Sequence, residues 1–316
     1  MMRTAIAIAA IATIASAQQS SPPDKPMEET KKNIKVLRGV PSSQLIPIMT
    51  VMANSLGVAC TYCHETQWES DAKPTKQAGR RMIAMTRAIN EQHYGSKVAV
   101  TCYTCHHGHV AADTLPNVAD AGWNKPQPPS MVKPALPAAE ELFDRHLKAW
   151  GAVATVKNRL SHGIAAARSG RGDPRSAPFE MFQQLPETVD VKLELPYPPE
   201  ANREFVSQFF NATKIRERYS AVETVDVRSL RDRDAYVVEA TPKEGLPEHL
   251  WFDSATGLLL RRERVRPTLV GPLPEEYDFD DYRTVDGVMV PFFIQWSRGD
   301  YQITHRFADV KHNVTR

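Results

Sequence analysis

Residues 45–64 read LIPIMTVMANSLGVACTYCH, and the interpretation of the first third of the chain hangs on them. Leu45, Ile48, Met49, Met52 and Leu56 recur at the three- and four-residue spacing of one helical face. Ser42 or Ser43 is the expected N-cap and Gly57 the expected residue just past the C-terminus. Pro47 is tolerable only in the first turn. The helix runs directly into Cys60-Thr61-Tyr62-Cys63-His64. The arrangement recurs downstream. A second helix is expected from about Thr75 to Gln92, with Met82, Met85 or Thr86, and Ile89 on one face, and Cys102-Tyr103-Thr104-Cys105-His106 follows it.

These two pairs use all 4 cysteines of the 316-residue chain, and a histidine follows each at once. C-x-x-C-H is the attachment pattern of c-type haem. Two thiols at that spacing straddle one porphyrin edge and add across its vinyl groups, and the adjacent histidine falls under the iron as proximal ligand. Two disulfides would leave both histidines unexplained, a zinc site built from all the cysteines would need an unusually long spacer, and a thioredoxin-like motif calls for a βαβ context. The expected cofactors are therefore two covalently bound c-type haems, anchored by Cys60 and Cys63 and by Cys102 and Cys105, with His64 and His106 as proximal ligands. Met49 and Met82 lie on the helices ahead of the two motifs and supply candidate distal thioethers, which would stabilise ferrous iron. On spacing alone Met52 and Met85, one turn away, and His93, His107 and His109 remain rivals. Arg80 and Arg81 are candidate partners for haem propionates.

LIPIMTVMANSLGVACTYCHETQW (45–68), GRRMIAMTRAINEQ (79–92) and VTCYTCHHG (100–108) together resemble the cytochrome subunit of photosynthetic reaction centres and its soluble dihaem relatives. The resemblance covers about residues 34–115, one pair of haems. It implies that each haem follows a helix whose methionine is the distal ligand, which gives Met49 and Met82. One haem of the full subunit uses a histidine instead, so His93 stays beside Met85 as an alternative at the second site. It also implies electron relay between two close haems.

Outward from this core, residues 5–15 are an apolar run, AIAIAAIATIA, behind Arg3 and before the small-x-small sequence Ala15-Ser16-Ala17. That is the pattern of a cleaved signal peptide (1–17), so the mature protein is expected in the periplasm without a transmembrane span. A polar tail (18–33) precedes the dihaem domain (34–123). Residues 124–137, NKPQPPSMVKPALP, hold five prolines and read as a semi-rigid linker. A second domain (138–316) opens with a helix, Ala138 to Trp150, then turns strand-rich. Residues 235–241 (AYVVEAT) and the run ending at 249–253 (HLWFD) alternate, Ser254 to Gly257 turns the chain into 258–265, Asp286-Gly287 is a two-residue hairpin signal, and Arg298-Gly299-Asp300 makes a further turn. These are sequential antiparallel strands. Residues 234–241, 250–263 and 277–296 are loosely similar to outer-membrane lipoprotein carriers, which implies a curved half-barrel and a lipid or lipoprotein partner. Trp251, Phe252, Phe292, Phe293, Ile294 and Trp296 are the residues that would line its cavity, or an ordinary sheet core. Glu275, Glu276, Asp278, Asp280 and Asp281 read as a solvated acidic edge.

The fold class expected is thus multidomain α+β: a small all-α dihaem domain followed by an antiparallel, half-barrel-like β domain. A charged fraction of 24% excludes a multi-pass membrane protein, and a net charge of +2 makes no case for nucleic-acid binding. The function expected is electron relay between redox partner proteins, with the β domain for docking or apolar-ligand binding. A dihaem peroxidase-like enzyme and a lipid or lipoprotein carrier with regulatory haems are the alternatives. The first needs an open distal position with acid/base groups above it, and no such pair is evident.

Overall fold

The computed structural model describes residues 24–112, 136–169, 173–184, 188–195, 215–299 and 301–315. The signal-peptide segment, tail residues 18–23 and linker residues 124–135 lie outside them. The remainder of the tail, residues 24–33, packs on the helical region. Met27, in a one-turn helix α1 (Met27–Thr30), is fully buried, its N–H donates to the Val40 carbonyl at 2.8 Å, and Asn33 Nδ2 donates to Asp71 Oδ1 at 2.8 Å. Met27 is its apolar anchor, and hydrogen bonds from Gly39 to Glu28, from Ser43 to Asp24 and from Ser42 to the Lys25 carbonyl add polar ones.

Helix α2 (Leu45–Leu56) ends at Gly57, whose φ of 64° is the left-handed stop anticipated from sequence, and Pro47 falls in its first turn. Its start differs. Ser42–Gln44 form a 3-10 turn and Gln44 is the N-cap, so neither serine caps α2; the Ser42 hydroxyl pairs with that of Thr30 at 2.6 Å instead. Helix α3 (Pro74–Tyr94) carries its proline in the first turn and stops at Gly95, φ 57°. Its buried residues are Ile83, Thr86 and Asn90, while Met82 and Met85 are 37% and 44% exposed. The inward face is rotated from the expected one because Ile83 packs with Ile48, Val51 and Cys102. Asn90 turns inward for a polar reason: its amide donates to the Val100 carbonyl at 2.8 Å and accepts from the N–H groups of Ala99 and Val100. The short helix α4 (Cys102–His106) begins at Thr101, which forms a reciprocal capping box with Thr104.

Helix α5 (Ala139–Trp150) leads into ten strands: β1 (Asn158–Ser169), β2 (Arg175–Gln184), β3 (Thr188–Leu193), β4 (Tyr219–Leu230), β5 (Arg233–Pro242), β6 (Glu248–Asp253), β7 (Leu259–Thr268), β8 (Gly271–Val285), β9 (Val288–Arg298) and β10 (Tyr301–His312). They form one antiparallel sheet in the order β3-β2-β1-β10-β9-β8-β7-β6-β5-β4. The chain enters mid-sheet at β1, walks to one edge, resumes at the opposite edge and meanders back until β10 pairs with β1. The meander from β5 to β10 was anticipated; β4 and the closing β1–β10 pair were not. The Asp286-Gly287 turn has φ values of 50° and 76°, the conformation expected of a primed two-residue hairpin.

Inward residues of β9 alternate strictly. Val288, Val290, Phe292, Ile294 and Trp296 are buried against Trp150, Phe179, Tyr277 and Phe307. Helix α5 covers the neighbouring strands, packing Leu142 and Phe143 on Val238, Leu250 and Phe252. The six apolar residues singled out for a cavity therefore divide. Phe252, Phe292, Ile294 and Trp296 belong to these cores, whereas Trp251 packs with Ala235, Val237 and Leu260 and Phe293 lies under the Arg306 guanidinium. The acidic run is a solvated edge only in part, with Asp281 exposed and Glu276 and Asp280 partly so. Glu275 is fully buried against Arg264, Arg266 and Arg298, and Asp278 takes two hydrogen bonds from Arg261, at 2.6 and 3.0 Å. Carboxylates on β8 meet arginines on neighbouring strands, so cross-strand pairing replaced hydration.

Candidate haem-binding sites

The helical region and the sheet share a core. Val270 and Leu273, at the β7–β8 turn, pack with Met27, Ile48, Val51, Ile83 and Cys102. A Cβ built on Gly271 would lie 3.2 Å from Thr101 and 3.4 Å from Val51. Gly299, in the β9–β10 turn, lies against the side chains of Thr50 and Asn54, which would have to move to admit a Cβ. Two β-turns thus seat α2 and the start of α4. These two helices touch in turn: the Gly108 N–H donates to the Ser55 carbonyl at 3.0 Å. A Cβ on Gly57 would collide with the Gly108 carbonyl oxygen, so glycine at 57 serves both the left-handed stop and this contact. The helix ahead of the first motif is therefore stitched to the end of the second.

A cavity of about 730 Å³ opens between α2, residues 30–37 and the first half of α3. Met49, Met52, Cys60, Cys63 and His64 all line it, together with Lys76 and Arg80. The His64 Nδ1 sits 3.0 Å from the Trp68 carbonyl, and its ring lies 5.0 Å from the indole. A carbonyl only accepts, so Nδ1 carries the proton and Nε2 keeps a free lone pair, as an axial ligand requires. Burial pushes the His64 imidazole below its ordinary pKa, and Lys76, Arg80 and Lys73 push the same way, which favours the neutral, coordinating form. Burial pushes the Cys63 thiol up, against the opposing effects of Thr75 and Lys73. Arg80 donates to Asp71 at 2.7 Å and to the Asn33 carbonyl at 3.2 Å. Lys35 joins Asp71 at 2.7 Å; this hydrogen bond and that of Arg80 hold the Asp71 carboxyl well below the usual carboxylate range.

The second motif reproduces the histidine geometry. His106 Nδ1 lies 3.0 Å from the His109 carbonyl, leaving Nε2 available. Cys102 is buried, which raises its thiol pKa, while Cys105 is exposed. Met82 and Met85 stand on α3 with their side chains open to the surface, as do Arg81 and His93 in the same helix. Arg80 and Arg81, adjacent in sequence, are thereby separated: only Arg80 reaches the first cavity. His107 adopts a left-handed φ of 47° and packs on Tyr103 at 5.5 Å, and His109 contributes its carbonyl rather than its ring.

The donor set fits the expected group. Each motif offers two thiols one turn apart and an oriented imidazole, and the first adds a thioether across the same cavity. All four thiols are free, and among the described residues no three His, Cys, Asp or Glu side chains converge. Sequence reasoning missed Trp68, Lys76, Lys35, Asp71 and Asn33. No spacing rule marks them: Trp68, Lys76, Lys35 and Asn33 line the cavity, and Asp71 acts from behind it by pairing with Asn33, Lys35 and Arg80.

Residues 2–136 match the family described as photosynthetic reaction centre cytochrome C subunit. The photosynthetic reaction center cytochrome c subunit of Roseobacter denitrificans is 37% identical over 110 residues, 29% of this chain and 29% of that protein. Cytochrome c-554 of Chloroflexus aurantiacus is 35% identical over 81 residues, 23% of this chain and 20% of that one. The chain thus spans less than a third of the length of these relatives. Among solved structures, a LolA superfamily protein from Nitrosomonas europaea aligns with 57% of this chain and 96% of its own, at 11% identity and a TM-score of 0.41. A DUF1329 family protein from Desulfovibrio piger aligns with 56% of this chain and 94% of its own, at 13% identity and the same TM-score.

Proposed function

We infer that the protein is an exported dihaem c-type cytochrome that relays electrons between redox partner proteins in the periplasm. The observation that carries this reading is the placement of Met49 and His64 on one cavity whose wall holds Cys60 and Cys63. The similarity of residues 2–136 to reaction-centre cytochrome subunits supports it, as does the apolar N-terminal run. Among the described residues no helix is long and apolar enough to cross a membrane.

When bound, each haem supplies a one-electron ferric/ferrous couple. The chain's own residues anchor and orient it. Cys60, Cys63, Cys102 and Cys105 would hold the haems through thioether links. His64 and His106 would offer Nε2 to the iron, oriented by the Trp68 and His109 carbonyls. Met49 would be the distal ligand at the first site and Met82 at the second, with Met85 and His93 as rivals there. Arg80, on the wall of the first cavity, would be the propionate partner there. The β domain is the platform on which the helical unit is docked, through the 268–273 turn and Gly299.

Spectroscopy on purified holoprotein tests the reading. Two covalent haems, both low-spin, with the ferric methionine–iron charge-transfer band and no carbon monoxide binding, are expected. Met49→Ala should remove that band from one haem and open it to carbon monoxide. A wild-type high-spin haem that binds carbon monoxide readily would overturn relay in favour of catalysis.

A further inference from the structure

The two proximal histidines share a geometry but not an electrostatic setting. At the first motif the Trp68 carbonyl accepts two donors: His64 Nδ1 at 3.0 Å and the Lys76 ammonium at 2.7 Å. Lys76 is held there by a second bond, to the Ser70 carbonyl at 2.8 Å, and by Asp71 at 3.8 Å, and its side chain is only 12% exposed. It is thus a fixed cation one carbonyl away from the axial imidazole. At the second motif the His109 carbonyl accepts from His106 at 3.0 Å, and among the described residues no lysine or arginine joins it.

Two effects of Lys76 point the same way. Its charge draws electron density from the Trp68 carbonyl, so that oxygen takes less of the His64 Nδ1 proton and the imidazole donates less density to the metal. The charge also opposes the extra positive charge of ferric over ferrous iron. The other charges at this cavity add to the second effect by less, because Lys31, Lys32, Lys35 and Arg80 stand against Glu69 on the wall and against Asp71, which pairs with Lys35, Arg80 and Lys76.

Resting on the dihaem reading above, we propose that Lys76 is a positioning and tuning residue that makes the His64 site the high-potential member of the pair and the His106 site the low-potential one. A one-electron donor protein then reduces the His106 site. That electron passes to the His64 site, oxidising the first and reducing the second, and a one-electron acceptor protein removes it there. The relay is directional within the chain.

An equilibrium redox titration of the holoprotein tests this. Met49→His, which replaces a thioether by a stronger donor to ferric iron, identifies the wave of the first haem as the one it lowers. That wave should be the upper of the two in the wild type. Lys76→Met should shift the same wave down by about tenfold in its ferric/ferrous ratio, which is 59 mV for one electron, and Lys76→Arg should restore it. The proposal is overturned if Met49→His moves the lower wave, or if Lys76→Met leaves the upper wave in place or moves the other one. If Lys76→Met yields no holoprotein, the wild-type and Met49→His titrations still decide the order of the sites. Failure of the underlying reading looks different, because it would show as absence of two covalent haems in the protein's mass and spectrum before any titration.

Discussion

A titratable residue far from the cysteine motifs shows what burial does to a single side chain. His146 on α5 is buried against Phe252 and Trp150, and its Nδ1 donates to the Gly257 carbonyl at 3.2 Å. Burial pushes its pKa down to about 4, the Gly257 hydrogen bond opposing. The folded state therefore binds fewer protons than the unfolded chain between about pH 6.5 and pH 4. The stabilisation is complete above that window and is lost as pH falls through it. Wild type should lose about 2–3 kcal/mol more than His146→Leu between pH 7 and pH 4.5, measured by urea unfolding at each pH. Equal losses in the two proteins would refute the assignment. Nothing in the sequence around His146 announces this. The histidine occupies an ordinary position on an amphipathic helix, and its burial follows from the partner strands β5 and β6, roughly a hundred residues away.

At the level of elements, the sheet is locked by ion pairs that periodicity presents as a surface feature. Glu275 is on β8, opposite Arg264 on β7 and Arg298 on β9, so register alone brings the three together. Arg264 Nε donates to Glu275 Oε2 at 2.7 Å, and Arg266 and Arg298 lie 3.3 and 3.6 Å from Oε1. Removing the carboxylate leaves three guanidinium groups around a buried neutral amide. Glu275→Gln is expected to cost about 3 kcal/mol, the lower end for a broken buried pair because two of the arginines keep some solvent contact. Urea rather than guanidinium unfolding should measure it, since guanidinium salt screens the same charges. A loss below about 1 kcal/mol would mean the cluster behaves as surface pairs do. The helices teach the complementary lesson. Where a stop or a turn is dictated by backbone conformation, as at Gly57 and Asp286-Gly287, it was legible. Where the inward face depends on a neighbour, as for α3, it was not.

For the molecule as a whole, helical region and sheet are joined through the buried cluster of Ile48, Val51, Cys102, Val270 and Leu273. Placing a charge there tests whether the two halves are one cooperative unit. Val270→Asp should split a single calorimetric transition of the holoprotein into two, with the helical region melting first, because a carboxylate cannot be buried beside Val51 without a partner. A single transition merely shifted in temperature would show that the halves remain coupled by other contacts. The sequence by itself determined the chemistry of this protein: two C-x-x-C-H motifs, a methionine-bearing helix before each, a region of alternating strands and the turns between most of them. These are local properties, set by spacing along the chain and by allowed backbone conformation, so they survive without knowledge of what packs where. Tertiary structure decided which groups share a site: that Lys76 and His64 meet at one carbonyl, that Arg80 and not Arg81 reaches the first cavity, that β10 returns to β1, and that two β-turns seat the helix carrying Met49. Each of those depends on residues brought together from distant parts of the chain by apolar burial and cross-strand register, which are properties of the packed molecule and not of any window of sequence.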